Sequence, residues 1–151
     1  MILRPLNAVW DLPFDVAYTV RPRLLPLNAG VVFVRVSDRV RAFMTAWRDE
    51  NRRMLTDTQH HQVWRRRYGG INQAALGAVL ESPRTDGLAI TPLPCSEWNC
   101  EDSTWRAYDP DVTRIVHLKS QLRIALFHGG SGGQEVRRLV TLWRALERAA
   151  L

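Results

Sequence analysis

Four short stretches of the sequence combine amide, imidazole or cationic side chains in patterns that could bind a substrate. They are LNAG at residues 27–30, GGINQAAL at 69–76, LPCSEWN at 93–99 and IVHLKSQLR at 115–123. Each has an ordinary interpretation when taken alone, because an Asn before Gly is most often a turn and a lone His is more often structural than a ligand. Their order along the chain therefore carries the functional information.

Lys119, in the last of these stretches, is the single lysine among 21 positively charged residues. This composition indicates a general preference for arginine, so the retained lysine is a candidate functional group. The formal net charge of +6 and the pI near 10.3 raise nucleic acid as a partner. However, nine Arg against four acids lie within residues 35–67, where a solvated helix face is the simpler interpretation, and no nucleic-acid-binding module surrounds WRRRY at 64–68.

The hydrophobic pattern predicts strands that alternate with helices, and therefore an α/β layer architecture. Strands are expected at residues 14–20, 27–36, 88–94 and 113–119, and a short helical turn at 5–10. Ser37 is expected to cap a helix whose apolar stripe is Val40, Phe43, Met44 and Trp47. Further helices are expected from a cap at Thr56 to Tyr68, from Ile71 to Ser82, and over residues 136–146.

The glycine-rich stretch HGGSGG at 128–133 predicts a flexible joint. We therefore expect one domain over residues 1–128, followed by a Gly-rich linker and a C-terminal amphipathic helix over 129–151. A phosphate-binding loop is the alternative for this stretch, but it lacks the Gly-Lys-Ser/Thr ending of that motif.

Several other classes of protein are disfavoured. No apolar run is long enough to span a membrane, and the first residues do not resemble a leader, so a cytoplasmic chain is expected. Cys95 and Cys100 are too few for a four-cysteine zinc site, and their spacing is not a redox motif. His60 and His61 are adjacent on a predicted helix, so their side chains diverge rather than share a metal.

Together and in this order, the four stretches resemble the second half of the nucleotide-sugar glycosyltransferases with the GT-A fold, the group that includes glycogenin-like and bacterial lipopolysaccharide sugar transferases. That family has an fNsGv strand, a Gly-rich turn before an Asp-Gln-x-x-Leu helix, an Lp..yN strand and an iiH strand. The resemblance covers roughly residues 1–123. It implies a partial GT-A-like mixed sheet flanked by helices, and sugar transfer from a nucleotide-diphosphate sugar to a sugar or protein acceptor.

The resemblance also implies roles for individual residues. Asn72 and Gln73 would take the catalytic Asp-Gln position, Asn28, Gly30 and Asn99 would contact sugar, and Lys119 or Arg123 would lie near the diphosphate. His117 would be a ligand of a divalent cation, Mn or Mg, with His128 as the alternative. Trp98 and Trp105 could stack on a sugar face, although core packing is the favoured alternative for Trp98.

The sequence also departs from the family. Asn72 replaces a carboxylate by an amide, and the Asp-x-Asp motif would precede Met1, so Asp109-Pro110-Asp111 is interpreted as coincidence. We therefore expect a truncated protein or one piece of a split pair, lacking an N-terminal half or an oligomer partner, inactive by itself. The alternative hypothesis is a non-catalytic binding or interaction module that uses the basic helices of residues 35–67 and the C-terminal amphipathic helix.

Overall fold

The computed structural model describes residues 1–21, 26–130 and 132–149, which form a mixed α/β structure. The strands are β1 (Val16–Val20), β2 (Leu27–Val34) and β3 (Ile90–Pro94). The α-helices are α1 (Asp38–Thr56), α2 (Thr58–Tyr68), α3 (Ile71–Leu80), α4 (Cys95–Trp98), α5 (Ser120–Phe127) and α6 (Gln134–Ala149). Short 3-10 turns cover Asn7–Asp11, Pro83–Thr85 and Trp105–Ala107. The predicted combination of a mixed sheet with helices is confirmed. No helix within the described ranges is both long and apolar enough to cross a membrane.

The chain divides into two compact units. We call Asn7–Pro94 the sheet unit, and Met1–Leu6 together with Cys95–Leu151 the network unit, after a polar network described below. Each unit has its own apolar core. The sequence predicts a boundary at residue 128, whereas α5 and α6 belong to the same unit and contribute Leu122 and Val136 to the same core.

The sheet unit is built on a three-stranded sheet in which β1 is central. It pairs antiparallel with β2 and parallel with β3, so that Val16 lies opposite Val34 on one side and Ile90 on the other. The register of β2 shifts where Tyr18 is opposite Val32 but Thr19 is opposite Asn28. The Asn-Ala-Gly step of the sequence therefore lies at an irregularity of the strand, where glycine and turn-forming residues are common.

Three helices cover this sheet unit, and their caps explain where they begin. The Ser37 hydroxyl accepts the Val40 N–H of α1 at 3.3 Å, as predicted. Asp57, not Thr56, caps α2, because its carboxylate accepts the His60 N–H at 2.9 Å. Met44 was predicted in the apolar stripe of α1, but it is 39% exposed, and Met54 is buried instead.

Short segments and two helices make up the network unit. The predicted strand over 113–119 is wrong in extent, because pairing is confined to single bridges of Ile115 with Ile2 and of Val116 with Cys100. Residues 120–127, for which the sequence pattern gave no helix, form α5. The core beneath contains Cys100, Trp105, Val116, Leu122, Val136 and Leu139.

Candidate functional site

The residues implicated by the sequence fall into two groups, one in each unit. Asn28, Gly30, Asn72 and Gln73 belong to the sheet unit. Trp98, Asn99, His117, Lys119 and Arg123 belong to the network unit. The two groups use their side chains differently.

Asn28 uses its side chain inside the strand irregularity. It is 3% exposed, and its Oδ1 accepts the Gly30 N–H at 2.8 Å, while its carbonyl accepts the Thr19 hydroxyl at 2.8 Å. The Asn and Gly of LNAG therefore build a local turn between strand residues. The predicted contact of Asn28 with a sugar would require this turn to open, whereas Gly30 is exposed.

Asn72 and Gln73 stabilise the beginning of α3. The Gln73 side-chain amide donates to the Tyr68 carbonyl at 2.8 Å. The Asn72 carbonyl accepts the Trp47 indole N–H at 3.2 Å, and its Oδ1 accepts from Asn51 at 3.4 Å. Both amides thus join α3 to neighbouring segments of the sheet unit. Their catalytic role stays a prediction.

Asn99 and His117 meet side chain to side chain in the network unit. His117 Nδ1 lies 2.9 Å from Asn99 Oδ1, and the His117 backbone N–H donates to the Cys100 carbonyl at 2.8 Å. Since an amide oxygen only accepts, Nδ1 carries the proton and Nε2 keeps its lone pair. Asn99 is fully buried and His117 is half-buried, so the pair fixes the imidazole tautomer.

Lys119 lies in a network of opposite charges next to this pair. Its Nζ lies 2.6 Å from Glu101 Oε2 and 3.2 Å from Asp102 Oδ1. Burial disfavours the ammonium, but hydrogen bonds to Glu101 and Asp102 more than offset this effect and raise the pKa of Lys119. The single lysine of the chain is therefore held in its charged form by two carboxylates.

Asp102 and Ser120 complete this polar network. The Ser120 hydroxyl donates to Asp102 Oδ2 at 2.9 Å. The pKa of Asp102 is lowered, chiefly by its interaction with Glu101 and further by hydrogen bonds with Ser120 and Lys119. Ser120 has a φ of +48°, and among the described residues it is the only one other than glycine with a positive φ. Such strain is commonly found at functional sites.

The imidazole of His117 is suited to bind a cation, but it is a single ligand. Burial, and then the positive charge of Lys119, lower the pKa of His117, so its neutral, ligand-competent form is favoured. Among the described residues, no group of three or more His, Cys, Asp or Glu side chains could hold a metal ion. The described part of the chain therefore does not form a complete site for the predicted divalent cation.

The remaining candidates of the network unit differ in exposure. Trp98 is 4% exposed and lies under the Arg114 guanidinium, 4.9 Å from the ring centroid, which agrees with the core-packing alternative. Arg123 is exposed on α5. Trp105 is 8% exposed and belongs to the core of this unit.

Glu101, Asp102 and Ser120 were missed by sequence reasoning. The signal that could have found the two carboxylates is the acidic pair directly after LPCSEWNC, together with the single lysine, because a partly buried lysine needs anionic partners. Ser120 gave no comparable signal, because its backbone conformation is set by the bend between His117 and α5.

The basic helices of the sheet unit are exposed, as the sequence predicts for a solvated face. Arg41, Arg48, Arg52, Arg65 and Arg66 are all exposed, and Leu55 and Val63 are exposed as well. Arg48 and Arg52 contact Asp49 at 3.0 and 3.8 Å. Surface pairs of this kind contribute little to stability.

Comparison of the chain with protein-family models, with curated proteins and with solved structures finds no match.

Proposed function

We propose that the chain is the acceptor-side half of a GT-A-like glycosyltransferase, which transfers a sugar from a nucleotide-diphosphate sugar to an acceptor. The observation that carries the proposal is the contact of two motifs that the resemblance pairs in one site. LPCSEWN contributes Asn99 and IVHLK contributes His117, and their side chains lie 2.9 Å apart beside the Lys119 network. The fixed tautomer of His117, the neighbouring Lys119 cation and the positive φ of Ser120 support this proposal.

In this proposal the residues of the network unit act on the charge of the donor diphosphate. Breaking the sugar–phosphate bond leaves negative charge on the departing nucleotide, and nearby cations lower the energy of that state. Arg123 is exposed and can pair directly with phosphate oxygens, for which its planar guanidinium is suited. Lys119 is already bound by two carboxylates, so its contribution is to set the local field and orient Glu101 and Asp102.

His117 would contribute one ligand to a divalent cation that enters with the diphosphate. Such a cation, when bound, would neutralise phosphate charge. The chain's own contribution is to present Nε2 unprotonated, with Asn99 holding the proton on Nδ1. Because the described residues provide no three-ligand group, we expect them to support weak nucleotide binding rather than transfer.

Calorimetric titration with UDP and GDP, each with and without MnCl2, tests the proposal. We expect weak binding of at least one nucleotide that is strengthened by Mn. Arg123→Ala should lower the affinity about tenfold, as for the loss of a charge-assisted hydrogen bond. Arg144→Ala is the matched control, because Arg144 is also exposed on a helix of the same unit.

Two results would contradict the proposal. One is that neither nucleotide binds with Mn present. The other is that Arg123→Ala and Arg144→Ala weaken binding equally, since the effect would then reflect net charge rather than a site.

A further inference from the structure

The network unit contains two neighbouring cavities that the proposed nucleotide contacts do not use. The larger, of about 360 Å³, is lined by residues that include Asp102, Trp105, Arg106, Gln121 and Glu135. The smaller, of about 250 Å³, shares Trp105, Arg106 and Glu135 and adds Tyr108, Gln134 and Arg138. The three shared residues make the cavities two parts of one groove between the Trp105–Ala107 turn and the beginning of α6.

The chemistry of the groove favours a neutral ligand that carries many hydroxyl groups. Carboxylates of Asp102 and Glu135 accept hydrogen bonds, whereas the guanidinium groups of Arg106 and Arg138 donate them. The two negative and two positive side chains balance, so the groove has no net charge that would select a phosphate or an ammonium group. Trp105 and Tyr108, whose ring lies under the Arg138 guanidinium at 4.7 Å from the centroid, add apolar surface beside these polar groups.

The indole of Trp105 provides an independent indication of a missing partner. Trp105 is 8% exposed and lines both cavities, and its Nε1–H has no hydrogen-bond partner among the described residues. Buried donors are nearly always paired, because an unpaired one loses its hydration without compensation. Because the Nε1 atom is itself closed to solvent, a ligand oxygen or a water in the groove would satisfy this donor after a local rearrangement of the neighbouring side chains.

Arg106 can rearrange to admit a ligand at little cost. Its side chain is 93% exposed, and its Nε lies 3.6 Å from Glu135 Oε1, a distance typical of a weak surface ion pair. Displacing this guanidinium would open the boundary between the two cavities and release the Glu135 carboxylate for a hydroxyl group.

We propose that this groove binds a neutral saccharide of one or two sugar units. The larger cavity alone falls within the range of about 300–1,000 Å³ that is usual for small-molecule sites. That this saccharide is the acceptor rests on the proposed function, whereas its binding follows from the groove itself.

The test follows the indole N–H signal of Trp105 in a nitrogen–proton NMR spectrum of the full chain. Trp105→Phe identifies the signal, and Trp143→Phe identifies a reference indole in the same unit. Lactose, maltose and cellobiose are titrated in the absence of nucleotide, with inorganic phosphate as the charged probe. We expect at least one disaccharide to shift the Trp105 signal saturably while the Trp143 signal stays in place, and phosphate to leave both unchanged.

A pair of variants on α6 makes the test specific. Glu135→Gln should weaken disaccharide binding about tenfold, because a charged acceptor is replaced by a neutral one. Glu147→Gln, on the exposed last turns of the same helix, should leave it unchanged. The native spectrum of each variant shows that it is folded.

Three results would overturn the inference: no saturable shift with any disaccharide, a shift with phosphate instead, or equal weakening by Glu135→Gln and Glu147→Gln. Because nucleotide is absent, these results are independent of the glycosyltransferase proposal. Disaccharide binding without nucleotide binding would leave the saccharide site intact and remove its assignment as an acceptor site. Nucleotide binding without disaccharide binding would leave the glycosyltransferase proposal intact and remove the saccharide site.

Discussion

The sheet unit and the network unit use the polar side chains of their sequence motifs differently. In the sheet unit, the amides of Asn28 and Gln73 bond to backbone groups and so define a strand irregularity and the beginning of a helix. In the network unit, His117, Lys119 and Asp102 bond to other side chains, and their pKa values are shifted. In this conformation the amides of Asn28 and Gln73 stabilise the backbone of the sheet unit, whereas His117, Lys119 and Asp102 form the polar network on which the proposed function rests.

The two units also differ in how they are stabilised. The sheet unit buries large side chains of α1 and mostly small side chains of α3, whereas the core of the network unit is smaller and combines residues of α5 and α6 with residues of short segments. Substitutions in the sheet unit should therefore report on packing, and substitutions in the network unit should report on charge and strain.

The largest effect is expected from the core of the sheet unit. Phe43 is fully buried on α1, so Phe43→Ala should lower the free energy of unfolding by about 3–5 kcal/mol. Urea denaturation measures this change. Met44→Ala on the same helix is the control, because Met44 is 39% exposed and should change stability far less. Similar losses for the two variants would mean that the buried face of α1 has been assigned wrongly.

A smaller effect is expected where α3 packs closely on α2. A Cβ added at Gly77 would lie 2.3 Å from Cδ2 of Tyr68, so the ring must move, and Gly77→Ala should cost about 1–3 kcal/mol. Gly70→Ser is the matched control, since nothing lies within 4 Å of the added Cβ and serine is a better helix cap. Thermal unfolding measures both variants. A lower melting temperature for Gly70→Ser than for Gly77→Ala would refute the close packing.

The strained backbone at Ser120 gives a test within the network unit. Ser120→Ala and Ser120→Gly both lose the hydroxyl bonded to Asp102, but only glycine adopts a φ of +48° without strain. Ser120→Gly should therefore be more stable than Ser120→Ala by about 1 kcal/mol. Chemical denaturation of the two variants measures the difference. If the alanine variant is as stable as the glycine variant, the backbone at this position is not strained.

The smallest effect is a pH dependence that comes from His117. Its pKa in the folded chain lies below the ordinary value of 6.5, so as the pH falls the unfolded chain binds a proton first. Stability should therefore decline from about pH 6.5 downward until the folded pKa is reached. His117→Asn should flatten this part of the profile, whereas His128→Asn should keep it. Parallel profiles for wild type and His117→Asn between pH 7 and 5 would contradict the assignment.

Sequence periodicity predicted the elements whose apolar spacing is regular. The cap at Ser37, α6, and the buried stripe of α1 except for the exposed Met44 follow directly from residue spacing. The strand expected over 113–119 does not form, because its residues pair through two isolated bridges instead of a continuous ladder. The sequence pattern did not predict helix α5. This helix begins at Ser120, whose φ of +48° is unfavourable for a residue with a side chain.

The candidate site was predictable in part. The order of the four motifs pointed to Asn99, His117 and Lys119, and these three residues do lie in one polar region of the network unit. The carboxylates that hold Lys119 could not be assigned from spacing, because contacts of Lys119 with Glu101 and Asp102 depend on how the segment bends after Cys100. The Trp105 groove depends in the same way on packing between segments far apart in sequence.

The most direct test of the central claim follows the imidazole signals of the histidines while UDP and MnCl2 are added together. Paramagnetic Mn broadens nearby nuclei, so even a weakly occupied site is detected. We expect selective broadening of the His117 signals that requires both UDP and Mn. Broadening of His128 instead, or of all histidines equally, would contradict the assignment of His117 to a nucleotide-sugar site.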